Sequence, residues 1–141
     1  MRRAGAGLVV ALLGAQAIPV GRTNPPIAGD VPAPGDIKVV LRRACYDCHS
    51  RETRWPWYSR VAPVSWLIAS DVREGRREVD FSAWMAYPPA KQAKKRREIA
   101  EQVREGEMPP WYYILMHLDA RLDEADRQRL ITWTGETNLT P

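Results

Sequence analysis

The chain carries two cysteines, two residues apart, with a histidine directly after the second: Cys45-Tyr46-Asp47-Cys48-His49. Two thiols at this spacing reach the two vinyl groups along one edge of a single porphyrin. Each adds across its double bond and leaves a thioether. The adjacent imidazole then lies under the ring, where a nitrogen reaches the iron. Covalent attachment keeps a large cofactor in a small domain, and the porphyrin adds apolar area to a chain with one Phe. The pattern predicts one haem c, attached through Cys45 and Cys48 and ligated by His49.

Other uses of the pair fit less well. A redox-active C-x-x-C belongs in a βαβ setting, and no alternating run here reads as a strand. A zinc site needs four ligands. The only other histidine, His117, stands at no recognised zinc spacing. A simple disulfide leaves His49 without a purpose, and two cysteines so close together cannot staple a fold.

For the second axial position the leading residue is Met108, in Gly106-Glu107-Met108-Pro109-Pro110. Prolines stiffen such a loop, and a Met thioether opposite a His raises the reduction potential of the iron. His117 and Met116 are rivals, Met85 is another, and a vacant position is a further alternative. For the histidine's second nitrogen, a carbonyl between Trp55 and Pro63 is the expected acceptor. Arg54, Trp57 and Tyr58 are candidate partners of the haem propionates. Alternatively, Trp55 and Trp57 merely wall the haem.

The elements that must hold these groups are helical. Asp36 to Ala44 predicts a helix running into Cys45, with Asp36 as N-cap and Ile37, Val40, Leu41 and Ala44 on one stripe. Arg51 to Pro63 reads as a packed loop. A helix is expected over 64–78, with Val64, Leu67, Ile68 and Val72 inward. Ser82 is a candidate cap for a short turn through Trp84 and Met85. Another helix is expected over 90–105, with Ala93, Ile99, Ala100 and Val103 inward and Gly106 ending it. Residues 106–118 read as a loop. Asp123 should cap a final helix bearing Leu130, Ile131 and Trp133.

At the start of the chain, Arg2 and Arg3 precede an uncharged run from Ala4 to Val20. A basic start and an apolar stretch read as an export signal, and Ala15-Gln16-Ala17 has cleavage-like small residues. The same run is near the short limit for a membrane span, about 17–25 residues. Residues 1–21 are thus a signal peptide or a membrane anchor, and either places the rest outside the cytoplasm, in the periplasm. Residues 22–35, with four prolines, form a linker or an extended collar. Residues 36–141 form the haem-binding domain.

The 141 residues suffice for one compact domain. The net charge of +4 is scattered, which gives no nucleic-acid groove. The run Lys91, Lys94, Lys95, Arg96 and Arg97 reads as a solvated helix face or, alternatively, a docking patch for an acidic redox partner.

From Ile18 to Trp133 the chain resembles the bacterial haem-binding domain family of short exported C-x-x-C-H proteins. The segments that carry the likeness are IPVGRTNPP, CYDCHSRETRWPWYSRVAPVSWLIASDVREGR and GEMPPWYYILMHLDARLDEADRQRLITW. The resemblance implies haem binding at Cys45, Cys48 and His49 but no particular reaction. The first of these segments is similar to that family's membrane-proximal collar. The order of parts is similar to a class I cytochrome c, so the expected fold is all-α and cytochrome c-like around one haem. One departure is His117-Leu118-Asp119, where the family pattern has Pro after His. The expected function is one-electron transfer beside a membrane, with an unidentified redox protein as partner. The alternative is a haem enzyme or sensor, for peroxide or a diatomic gas, with a displaceable distal ligand. No catalytic residue is assigned.

Overall fold

The computed structural model describes residues 2–135, and the last six residues of the expected 36–141 domain lie outside that range. The side chains of residues 2–4, 6 and 8 also lie outside the description. Seven α-helices are present: α1 (Arg2–Gln16), α2 (Gly35–Ala44), α3 (Tyr46–His49), α4 (Val64–Glu78), α5 (Pro89–Glu105), α6 (Trp111–Met116) and α7 (Glu124–Thr134). Short 3₁₀ turns occupy Trp57–Arg60, Trp84–Ala86 and Leu118–Ala120. Among the described residues there is no strand, only an isolated bridge between Gly29 and Ala83. The all-α expectation holds.

The helices form where apolar residues recur at helical spacing. α2 buries Ile37, Val40, Leu41 and Ala44, the predicted stripe, and packs across α7. Its N-cap is Pro34, with no side-chain cap. Asp36 therefore sits inside the first turn, where its charge complements the helix dipole instead of capping an amide. α7 is capped as expected: Asp126 N–H donates to the Asp123 carboxylate at 2.7 Å. α5 ends at Gly106, whose φ of 76° is a left-handed conformation that favours glycine. Leu41, Trp84 and Leu130 are fully buried and Phe81 almost so. Each large apolar side chain sealed in this way contributes roughly 1.5–3 kcal/mol.

Several expectations need correction. On α4 the inward side chains are Ser65, Ala69, Val72 and Gly75, while Val64 and Leu67 are exposed. The helix turns its small residues inward because it lies hard against α3. On α5, Ala93 is exposed and Lys95 is buried, its ammonium held by Glu98 at 2.6 Å and Glu78 at 3.7 Å. The basic run is thus no uniform solvated face: Arg96 lies over the rings of both Trp84 and Trp133, and Lys91 lies over Tyr87. Finally, residues 111–116, read as loop, form α6. Ser82 takes no part in the 84–86 turn as a cap; it is buried and accepts the Arg51 amide instead.

The Pro-rich tract 22–35 is a packed collar. Ala28 N–H donates to the Ser82 carbonyl, Asp30 pairs with Lys38 and accepts the Tyr46 hydroxyl, and Val31 is in the core. At Gly29, φ is 139° and a Cβ would lie 2.8 Å from that of Met85, so only glycine lets the collar pass there.

Asp126 joins α7 to α2 through Arg43 and also accepts from Arg129 at 2.6 Å. Burial alone would raise its pKa. The hydrogen bonds from Arg129 and Arg43 overcome that and hold it below the ordinary Asp value of 3.8. Because the folded-state pKa is the lower one, the stabilisation is present above the unfolded value and is lost as pH falls through the folded one. Asp126→Asn should lower stability at pH 7 by about 3 kcal/mol. In denaturant melts the gap from the parent should close as the pH falls below about 4.

Candidate haem-binding site

α2 delivers Cys45, and a single helical turn closes behind it. Cys45 N–H donates to Leu41 O, and His49 N–H to Cys45 O, both at 2.9 Å. Residues 45, 48 and 49 thus share one side of one turn. Neither cysteine is in a disulfide. Burial pushes both thiols up to about 12, with the neighbouring Cys48 reinforcing this for Cys45 and Asp71 for Cys48. Thiols pushed up in this way stay protonated at pH 7 while nothing is bound to them. No cluster of metal-ligating side chains of the zinc kind exists among the described residues.

His49 is oriented from α4. Its Nδ1 lies 2.9 Å from Gly75 O and 3.3 Å from Val79 O. A carbonyl only accepts, so Nδ1 carries the proton and Nε2 keeps its lone pair. Burial depresses the imidazole pKa below the usual His value, which keeps it neutral, as an iron ligand must be. The acceptor is therefore on α4 and not in the 55–63 loop. That loop cannot supply it because α4 already closes the Nδ1 side.

Gly75 makes this possible. A Cβ at this position would lie 2.7 Å from Cys48 O and 3.1 Å from Cys48 Cβ. The helix approaches the attachment turn along a strip where no side chain fits. The sequence signal was a lone glycine inside a strong helical pattern, which marks a close backbone approach. Arg76, next along, fastens the same contact: it donates to Ser50 O, Thr23 O, Asn24 and Thr53.

Beyond Gly75 the same face of α4 carries Asp71, Ile68 and Val64, at helical spacing, with Leu67 beside them. Tyr112 of α6 donates to Asp71 at 3.3 Å. Leu115 and Met116 of α6 are exposed, as are Val64 and Leu67. Two unbridged thiols and an imidazole whose Nδ1 is already engaged stand together on one turn. That donor set fits the residues to a haem.

The remaining predicted residues divide. Asp47, between the cysteines, is a buried hub: it accepts from the Arg54 amide and guanidinium and from Tyr113 OH at 2.8 Å. Arg54 is thereby held beside Asp47, with its side chain still largely exposed. Tyr58 OH lies 3.1 Å from His117 Nε2, while Trp57 is exposed. His117 has both nitrogens engaged, since its Nδ1 lies 3.1 Å from Tyr113 O and its ring stacks on Tyr113. With Nδ1 donating to that carbonyl, Nε2 accepts from Tyr58 and offers no lone pair to iron. Met85 packs on Gly29. Met108 follows the Gly106 cap, half-buried, its amide donating to Gln102 O at 3.3 Å. Trp55 is half-buried, with its Nε1 sealed and unpartnered.

A helical domain that presents C-x-x-C-H on one turn, with the histidine pre-set by a backbone carbonyl, defines the class of haem-binding proteins. The family model described as Haem-binding domain matches residues 10–136, and the chain belongs to that family. No curated protein and no solved structure matches it.

Gly75→Ala should separate α3 from α4, because the obstructing atoms are backbone and cannot swing away. The expected cost is about 1–3 kcal/mol in a thermal melt. A weakened Nδ1 hydrogen bond makes the imidazole a poorer donor, so the reduction potential of the variant should rise.

Proposed function

We propose that this haem-binding protein holds a single haem c and carries one electron at a time outside the bacterial cytoplasm. The observation that supports it best is the pairing of two unbridged cysteines with a histidine whose Nδ1 is already spent on Gly75 O. Such a set has one use in reserve: thioether attachment on one edge and ligation through Nε2. The bound haem would supply the redox couple. The chain's own residues do the rest. Gly75 O fixes the tautomer and plane of His49. Asp47 ties the attachment turn to α6 through Tyr113. Burial of His49 keeps its imidazole neutral, and Arg76 holds the collar and the loop after His49 against α4.

Met108 is the proposed second ligand. It sits in a loop stiffened by Pro109 and Pro110, and its best rival has both nitrogens of its ring occupied. A six-coordinate iron with His and Met changes charge with little rearrangement, which suits transfer over catalysis. The partner is an unidentified redox protein, met in the periplasm.

After expression with a c-type maturation system, the chain should keep its haem through denaturing electrophoresis, and Cys45→Ala with Cys48→Ala should abolish the haem stain. Loss of the double variant's stain with full retention by the parent is the result expected; a parent that sheds haem in detergent refutes covalent attachment. Met108→Ala should turn a low-spin spectrum high-spin and let the ferrous form bind carbon monoxide. An unaltered spectrum would exclude Met108, and rapid carbon monoxide binding by the parent would favour a sensor or enzyme.

A further inference from the structure

The foot of α1 is fastened to the domain. Gln16 reaches the backbone of Ala62 twice: Ala62 N–H donates to Gln16 Oε1 at 3.0 Å, and Gln16 Nε2 donates to Ala62 O at 3.3 Å. Ala62 is buried, so these bonds satisfy an amide and a carbonyl that have little access to water. A second tie follows, from Arg22 Nη1 to Ser59 O at 3.1 Å. Cleavage after Ala17 would discard Gln16 and strand both Ala62 groups, a loss of the kind folded chains avoid.

The clamp brings unlike surfaces to one edge. α1 exposes Val9, Val10, Leu12 and Leu13, and no charge occurs from Ala4 to Gly21. At its foot stand Ile18, Trp57 and Val61, exposed by 54%, 75% and 44%. Exposed Arg22 and Arg60 flank them. No described helix is long and apolar enough to cross a membrane; the 15 residues of α1 rise about 22 Å, against a hydrocarbon core of about 30 Å. A short apolar helix, a Trp at its base and arginines beside it make an interfacial arrangement. A symmetric pairing of two copies through this edge would set like charges together, whereas anionic headgroups attract them.

We propose that α1 stays in the mature protein and that its Gln16 clamp on Ala62 sets the Ile18–Trp57–Val61 rim against an anionic phospholipid surface. This rests on the reading above of an exported protein. It fixes how the haem domain stands on the membrane.

The test uses the full chain with haem attached. Intact mass should include Gln16, and a chain beginning after Ala17 overturns the proposal. With Cys45 and Cys48 consumed by haem, Val61→Cys offers one thiol for a nitroxide label, and Glu101→Cys on α5 serves as the reference. On phosphatidylethanolamine–phosphatidylglycerol vesicles, a water-soluble nickel chelate should relax the label at 61 several-fold less than the label at 101. Gln16→Ala should remove that shelter while the chain still sediments with the vesicles. Equal access at 61 and 101 refutes the rim. Shelter at 61 without vesicles would assign the edge to a second copy, and shelter untouched by Gln16→Ala refutes the clamp. Haem content measured on the same samples reports separately on the haem reading.

Discussion

The structure depends on the contact between a glycine of α4 and the backbone of the attachment turn. Gly75 lies where any Cβ would strike Cys48 O, and from there its carbonyl takes the His49 proton. One residue thus sets both the distance between two helices and the tautomer of His49. The two roles are coupled, since a carbonyl set back by even one methyl group would lose hydrogen-bond geometry with the imidazole. Arg76 secures the contact with four acceptors drawn from the collar and the loop after His49.

That close approach dictates what α4 can bury. A helix seated against backbone must turn its smallest side chains inward, so Ser65, Ala69 and Gly75 face in and larger apolar groups are left outside. In an ordinary soluble domain Val64 and Leu67 outside and polar Ser65 inside would be an inverted pattern. Here α4 packs against both α3 and the 57–60 turn, and its small residues are the ones that let both come close. The chain compensates elsewhere with aromatic contacts: Tyr46 stacks on Phe81, Phe81 on Trp84, and Arg96 spans Trp84 and Trp133.

The side facing α6 is organised by polar groups. Asp47 gathers Arg54 and Tyr113, Asp71 meets Tyr112, and His117 bridges Tyr113 and Tyr58. These bonds place α6, which buries none of its own residues. Tyr113 also packs against the core, so α6 is fastened by polar bonds at its edges and by one aromatic ring beneath.

Much of this was legible in the residues. The pentapeptide pointed to haem, and the chain belongs to a haem-binding domain family. The α2 stripe, the Asp123 cap and the Gly106 stop were readable because each is a local rule, settled within a turn or two of chain. The burial face of α4, the fate of Lys95 and Arg96, and the engagement of His117 were not, because each is decided by what another segment brings alongside. Apolar periodicity assumes that large residues go inward, and it fails where backbone approaches backbone. The acceptor for His49, too, came from α4 and not from the loop nearest in sequence, since a hydrogen bond is chosen by distance in space. Sequence determined the helices and the turn that brings two thiols and an imidazole together; tertiary packing decided which faces meet, because only there do residues far apart compete for the same volume.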